Sequence, residues 1–170
     1  MVFSKLDFNN GSISNSYLKN GFFAMDEGVN TSGLYVINNS TFVNNTSEYG
    51  TILNIKTLEE LTGSTINVTN SEFISNRASK YGGAVYSIGE FSNLHVYFDY
   101  CKFIDNHALL GDIFYSYSRE SSPLISNIEE LELIEGALVT NPVKIILDND
   151  NQNSFSILSG DMLPKNITCN

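Results

Sequence analysis

Three aspartates that are close in the sequence, Asp99, Asp105 and Asp112, come nearest to the residue types and spacing of an active site. Enzymes that cleave polysaccharides need two or more carboxylates, or acids with a basic residue, converging on one face. Asp105 and Asp112 are the best pair, with Arg77 and Lys80 about one repeat away. The residues aligned with the aspartates in the preceding repeats are Asn, Thr, Ser and Ala. We therefore predict no catalytic residues and keep a polysaccharide-cleaving enzyme as the alternative.

Two further aspartates, Asp148 and Asp150, stand where a calcium loop of the EF-hand type would begin. Such a loop needs glycine at its sixth position and glutamate at its twelfth. The chain has Asn153 and Ser159 at those positions. We expect no metal site and no cofactor site.

The two histidines and the two cysteines offer little chemistry by their spacing. His95 falls between Leu94 and Val96, which the pattern places inside, and His107 follows a turn residue. Neither histidine has a partner at the spacing of a metal site or a catalytic triad, so we expect both at the surface.

The cysteines are Cys101 and Cys169. Cys101 aligns with Gly11, Ser40 and Ser71, which predicts a small, buried, unreactive thiol. A disulfide between Cys101 and Cys169 stays open, because the sequence does not show that their Cα atoms approach.

The elements that position these side chains come from a segment that recurs about every 30 residues. Its four copies begin near Leu6, Tyr35, Ile66 and Val96. Apolar residues alternate within each copy, which is the period of a β-strand, and no sustained helical stripe is present. Each copy should hold two or three short strands stacked on their equivalents. The sequence predicts an all-β parallel β-helix of about four to five coils.

Certain side chains recur at fixed positions and are expected to hold the coils together. Aromatic side chains should form an internal column, and asparagine amides should form a ladder at a turn. Glycines should permit positive φ or close approach at a corner, and not bind phosphate. These residues are Phe42, Phe73 and Phe103; Asn45, Asn76 and Asn106; and Gly50, Gly82, Gly83 and Gly111.

The chain divides into a β-helix over residues 1–139 and a different segment over residues 140–170. Residues 121–139 keep the alternation but lack the turn residues, so 124–139 is predicted to be a degenerate fifth coil or cap. Val143–Leu147 and Ser154–Leu158 indicate a β-hairpin. The remaining residues resemble the incomplete start of a further β-module.

Two motifs of this repeat resemble a known family. Phe73–Asn76 followed by Gly82–Val85 is similar to the paired FxxN and GGA[I/L/V] motifs of the polymorphic outer membrane protein family. Phe42–Asn45 and Phe103–Asn106 match the first motif, while the second is degenerate in those copies. The resemblance covers residues 6 to about 117. It implies a right-handed parallel β-helix passenger displayed at a cell surface, with adhesive roles in the bacterial members, and it does not imply catalysis.

The net charge of −10 limits the partners. Nucleic acid is excluded, because phosphate binding needs clustered basic side chains, and the same argument disfavours anionic polysaccharide. No apolar stretch approaches the roughly 20 residues of a membrane span. We expect an unknown surface partner, a protein or a glycan, and no membrane span in this chain.

The start of the chain and the family resemblance both bear on its location. Met1–Lys5 lacks the apolar run of a signal peptide, and the strand pattern begins at Leu6. We interpret the chain as a fragment of a longer secreted protein, extracellular or at a cell surface. Glycosylation motifs are an open point, because a chain rich in Asn, Ser and Thr forms them by chance and Asn45 should point inward. These motifs begin at Asn10, Asn30, Asn38, Asn39, Asn44, Asn45, Asn67 and Asn166.

The sequence thus predicts a structural or adhesive β-helix module of a secreted or surface-displayed protein, without catalysis. The alternative is a fragment of a carbohydrate-active β-helix enzyme of the polysaccharide lyase or glycoside hydrolase type. An outer face lined by clustered carboxylates would favour the enzyme.

Overall fold

The computed structural model describes residues 2–26 and 31–140. These residues form an all-β solenoid of about four turns in which parallel sheets stack along one axis. The predicted fold class is confirmed. The hairpin and the incomplete module predicted after residue 140 lie outside the described residues.

The strands of successive turns form four parallel sheets. Sheet 1 contains β1 (Val2–Asn9), β4 (Thr31–Asn38), β8 (Thr65–Thr69), β12 (Val96–Asp99) and β15 (Leu124–Ile125). Sheet 2 contains β2 (Ser12–Ser14), β5 (Thr41–Val43), β9 (Glu72–Ile74) and β13 (Lys102–Ile104). Sheet 3 contains β6 (Thr46–Tyr49) and β10 (Arg77–Tyr81). Sheet 4 contains β3 (Phe23–Asp26), β7 (Leu53–Thr57), β11 (Val85–Ser87), β14 (Phe114–Ser116) and β16 (Leu138–Thr140).

The register of these sheets places equivalent residues of successive repeats beside one another. In sheet 2, Phe73 pairs with Phe42 on one side and with Phe103 on the other. Their rings stack with centroids 5.5 and 5.1 Å apart. Phe42 and Phe73 are fully buried, while Phe103 is half-buried and packs against the core. Alternation within a short strand therefore places one face inside, and stacking extends that face into a continuous core.

The turn between sheets 2 and 3 is closed by an asparagine ladder inside the solenoid. The backbone N–H of Asn45 and its side-chain amide donate to Asn76 Oδ1 at 3.1 and 3.0 Å. Asn76 makes the same two hydrogen bonds to Asn106 Oδ1, both at 3.1 Å. Each side-chain amide also donates to a carbonyl of the preceding coil, as Asn76 does to Phe42 at 2.9 Å. Polar groups that the bend would leave unpaired are satisfied in this way.

The corner between sheets 3 and 4 is made by glycines. Gly82 has a φ of +67°, and a Cβ there would collide with the carbonyl oxygen of Val85. Gly83 has no such dihedral, but a Cβ on it would collide with the carbonyl oxygen of Asp112 in the next coil. One glycine thus supplies the left-handed bend and the other the close approach of two coils.

The structure corrects the alternation read over residues 121–139. Helix α2 (Ile128–Glu132) lies between β15 and β16, in the position that strands occupy in the earlier coils. Leu131 is buried whereas Leu133 is 87% exposed, so the two leucines do not share an inward strand face. Ile128 and Leu131 are three residues apart, the spacing of one helix face, and both contribute to the core.

A second short helix, α1 (Ser92–His95), corrects the placement of Leu94. This residue was expected inside but is 48% exposed, because helical backbone breaks the alternation before β12. The described residues include no helix long and apolar enough to cross a membrane.

Candidate functional site

The three aspartates singled out by the sequence do not occupy equivalent environments. Asp105 is exposed at a turn with a φ of +50°. Asp99 is half-buried at the end of β12, beside Thr69 of the neighbouring coil. Asp112 Oδ1 accepts a hydrogen bond from the backbone N–H of Ala108, four residues earlier, at 2.9 Å.

His107 is exposed, as predicted, but it has a partner that its spacing in the sequence did not indicate. Its Nδ1 lies 3.0 Å from Asp112 Oδ1, and the side chains are 59% and 31% exposed. The two residues are five apart, a spacing that becomes a contact only because the chain bends at Gly111. The geometry of the pair resembles that of the base and the orienting acid of a catalytic triad. A triad also requires a nucleophile within hydrogen-bonding distance of the histidine.

His95 and Cys101 carry structural contacts. His95 Nε2 lies 3.2 Å from the carbonyl oxygen of Glu60. Cys101 is 2% exposed, and its thiol donates weakly to the carbonyls of Val68 and Asp99, each at 3.5 Å. Burial raises the pKa of the Cys101 thiol to about 11, so it stays protonated and unreactive at neutral pH. Its suggested disulfide partner, Cys169, lies outside the described residues.

Metal binding has no support in the part of the chain that the structure describes. Residues 2–26 and 31–140 contain no group of three or more His, Cys, Asp or Glu side chains that could hold an ion. The loop that begins at Asp148 lies outside these ranges.

The outer surface carries an aromatic cluster that the sequence analysis did not identify. Tyr49 and Tyr81 end β6 and β10, immediately before corner glycines, while Tyr86 and Tyr115 are the central residues of β11 and β14. We call these four residues the tyrosine cluster. Tyr86 and Tyr115 stack with centroids 5.6 Å apart and an interplanar angle of 14°. Tyr81 stacks on Tyr115 at 4.9 Å, and Tyr49 tilts against Tyr86 at 4.8 Å.

All four rings of the tyrosine cluster are half-buried and none belongs to the internal core. Burial raises the pKa of Tyr86 and of Tyr115, so both hydroxyls stay neutral at physiological pH. Lys80 covers one side of the cluster, with Nζ 4.8 Å from the Tyr49 centroid and 3.3 Å from Glu48 Oε2. The cluster is therefore a rigid aromatic surface with a polar edge.

Two grooves share Glu48, the residue before Tyr49, and one of them is lined by rings of the tyrosine cluster. The first, which we call the sheet 3 groove, has a volume of about 580 Å³ and is lined by residues that include Tyr17, Arg77 and His107. The second, which we call the corner groove, has a volume of about 290 Å³. The corner groove is lined by Lys19, Asn20, Glu48, Tyr49, Asn54, Lys56, Tyr86 and Ile88.

The positive charge of this acidic chain concentrates at the two grooves. The described residues include seven Lys and Arg side chains, and four of them line a groove or lie over the tyrosine cluster. These four are Lys19, Lys56, Arg77 and Lys80.

Comparisons with protein-family models, with curated proteins and with solved structures found no match. A β-solenoid by itself does not discriminate a structural protein from an enzyme, so the outer surface is the feature that bears on function.

The repeat contained a signal for the tyrosine cluster. Tyr49 and Tyr81 both immediately precede a corner glycine, and Tyr86 and Tyr115 both follow one by four residues. A tyrosine outside the core at a repeated offset predicts an outward stack, in the same way that the phenylalanines predicted an inward one.

Proposed function

We propose that this chain is a structural or adhesive β-solenoid module of a secreted or surface-displayed protein, and that it is not an enzyme. The observation that carries the proposal is the tyrosine cluster on the outer surface. Tyrosine is enriched at protein recognition surfaces, because a rigid ring supplies contact area at a small cost in conformational entropy. A surface of this kind suits attachment to a protein or a glycan.

The internal organisation supports the same proposal. The residues that recur from coil to coil, such as Phe73, Asn76 and Gly82, hold the solenoid together by packing, hydrogen bonding and close approach. Such repeats give a stiff stack whose outer positions are free to vary. The match to the FxxN motif of a surface-displayed family supports the location at a cell surface.

A carbohydrate-active enzyme is the second candidate, and His107 with Asp112 is the observation that favours it. His107 lines the sheet 3 groove together with Arg77, which supplies a cation, and Asp112 contacts His107. Glycosidic cleavage requires a second acid near the scissile bond. The sequence paired Asp112 with Asp105. Asp105 has no ion-pair partner among the described residues.

Adhesion under flow tests the proposed function. Beads coated with the folded chain are passed over surfaces that carry mammalian cells, mucin or plant and microbial polysaccharides. Retention above that of beads coated with the heat-unfolded chain is expected on at least one surface. Absence of retention on every surface would contradict an adhesive role, while products released from a polysaccharide surface would favour the enzyme.

A further inference from the structure

The tyrosine stack on sheet 4 ends at a short polar residue. In register across this sheet, Tyr115 is followed by Tyr86, then by Asn54 and then by Ala24. The change from tyrosine to asparagine leaves the corner groove beside the last ring of the stack. Tyr49, tilted at 48° to Tyr86, forms a second aromatic wall of the same groove.

Asn54 brings a polar group without a partner to this groove. The residue is 2% exposed, and its Oδ1 makes no hydrogen bond with the residues that the structure describes. Leaving a buried acceptor unpaired costs free energy, so such a group points to a donor that arrives with a ligand. Asn54 is among the residues that line the corner groove, so the unpaired acceptor lies at its wall.

Lysine side chains give the corner groove a local positive charge. Lys19 and Lys56 line it and form no ion pair with the described residues, whereas Lys80 is paired with Glu48. Surface charges farther apart than about 8 Å are largely screened at physiological salt. The net charge of −10 therefore weighs less at this groove than its own two lysines.

We propose that the corner groove binds an acidic hexopyranose unit, such as a uronic acid residue of a glycan. The rings of Tyr49 and Tyr86 contact the apolar face of the sugar, a sugar hydroxyl donates to Asn54 Oδ1, and Lys19 and Lys56 pair with the carboxylate. Charge-assisted hydrogen bonds favour the acidic sugar over its neutral counterpart. The proposal rests on the adhesive role above and names the ligand class for it.

Calorimetric titration of the whole chain tests the ligand class, with an oligogalacturonate and a neutral galacto-oligosaccharide of equal length as probes. We expect the acidic probe to bind at least about tenfold more tightly and its affinity to fall as salt is raised. Equal binding of both probes, or no binding of the acidic probe, would overturn the proposal.

Matched lysine variants test the location of the site. Lys56→Gln should weaken binding of the oligogalacturonate about three- to tenfold, because it removes one charge from the groove. Lys102→Gln is the control, because Lys102 is also an exposed lysine, pairs with Glu72 on sheet 2 and does not line the corner groove. Equal affinities of the two variants would place the binding elsewhere and overturn the assignment.

Tyrosine variants test the stacking contact. Tyr86→Phe keeps the ring and should keep most of the affinity, whereas Tyr86→Leu should lose about tenfold or more. Circular dichroism of both variants is the control for folding, and we expect the spectrum of the parent. If both variants bind as tightly as the parent, Tyr86 is not part of the site and the stacking contact is overturned.

Titration and bead adhesion together separate this proposal from the adhesive role. Coated beads that adhere, and that oligogalacturonate does not displace, would overturn the corner groove as the glycan site and leave adhesion standing. Oligogalacturonate that binds in solution while coated beads adhere nowhere would support the groove and overturn the adhesive role.

Discussion

Asn76 Oδ1 accepts two hydrogen bonds from Asn45, one from its backbone N–H at 3.1 Å and one from its side-chain amide at 3.0 Å. Both residues are completely buried. One amide therefore pairs a backbone group of the neighbouring coil and positions the next amide of the ladder. The arrangement links consecutive coils at the turn where the sheets are interrupted.

Replacing Asn76 with alanine tests this ladder. The change leaves the N–H of Asn45 and the carbonyl of Phe42 without their side-chain partners inside the core. We expect the free energy of unfolding to fall by about 1 to 3 kcal/mol, the cost of unmet buried polar groups. Asn67→Ala, on half-exposed strand β8, is the control and should change stability by less than about 0.5 kcal/mol. Equal melting of Asn76→Ala and the parent would mean that the ladder contributes nothing.

The aromatic column gives a second prediction. Phe73→Ala removes a fully buried ring that contacts Phe42 and Phe103. The free energy of unfolding, measured in urea, should fall by about 3 to 5 kcal/mol, as for other emptied aromatic core sites. Phe3→Ala is the control of the same type, because Phe3 is 64% exposed. Similar losses for the two variants would contradict the placement of the core.

Glycines at two corners give a matched pair. Gly82→Ala introduces a Cβ that collides with the carbonyl of Val85, in addition to the strain of a positive φ. Gly136 has a similar φ of +76°, but the nearest atom to a Cβ there is Asp112 Oδ2 at 3.6 Å. Gly136→Ala should lower stability by about 1 to 2 kcal/mol, the strain alone, and Gly82→Ala by more. The reverse order would contradict the close approach at Gly82.

The buried thiol gives a prediction for pH. Burial raises the pKa of Cys101 from its ordinary value of 9.0 to about 11 in the folded chain. At pH 8 only about one folded thiol in a thousand is ionised, so a Cys169→Ser variant should react with an aromatic disulfide reagent only after unfolding. Between pH 9 and 11 the unfolded thiol ionises first, so stability should fall as pH rises. Rapid labelling of the folded variant at pH 8 would contradict the burial.

The fold was predictable where one residue type recurs at one position. Phe42, Phe73 and Phe103 revealed the strand that faces inward, and Asn45, Asn76 and Asn106 revealed the turn, because stacking makes equivalent residues neighbours. The repeat alignment also corresponds to the register of the sheets, as in the pairing of Ile66 with Tyr35 and Val96.

Features that occur once were not predictable by the same reasoning. Helix α2 has no equivalent in the other coils, so the alternation of Leu131 and Leu133 was read as strand although only one of the two is buried. The contact of His107 with Asp112 depends on the bend at Gly111, whose geometry a spacing of five residues does not specify. The tyrosine cluster lies outside the core, so the pattern of inward residues that predicted the phenylalanine column did not include it.

The distinction between a binding module and an enzyme is tested most directly by incubating the chain with a panel of acidic and neutral polysaccharides. Polymer length is then measured by size-exclusion chromatography with light scattering. We expect every polymer to keep its length and at least one to elute in complex with the protein. A polymer that becomes shorter, with shortening abolished in His107→Ala, would contradict the account and establish an enzyme.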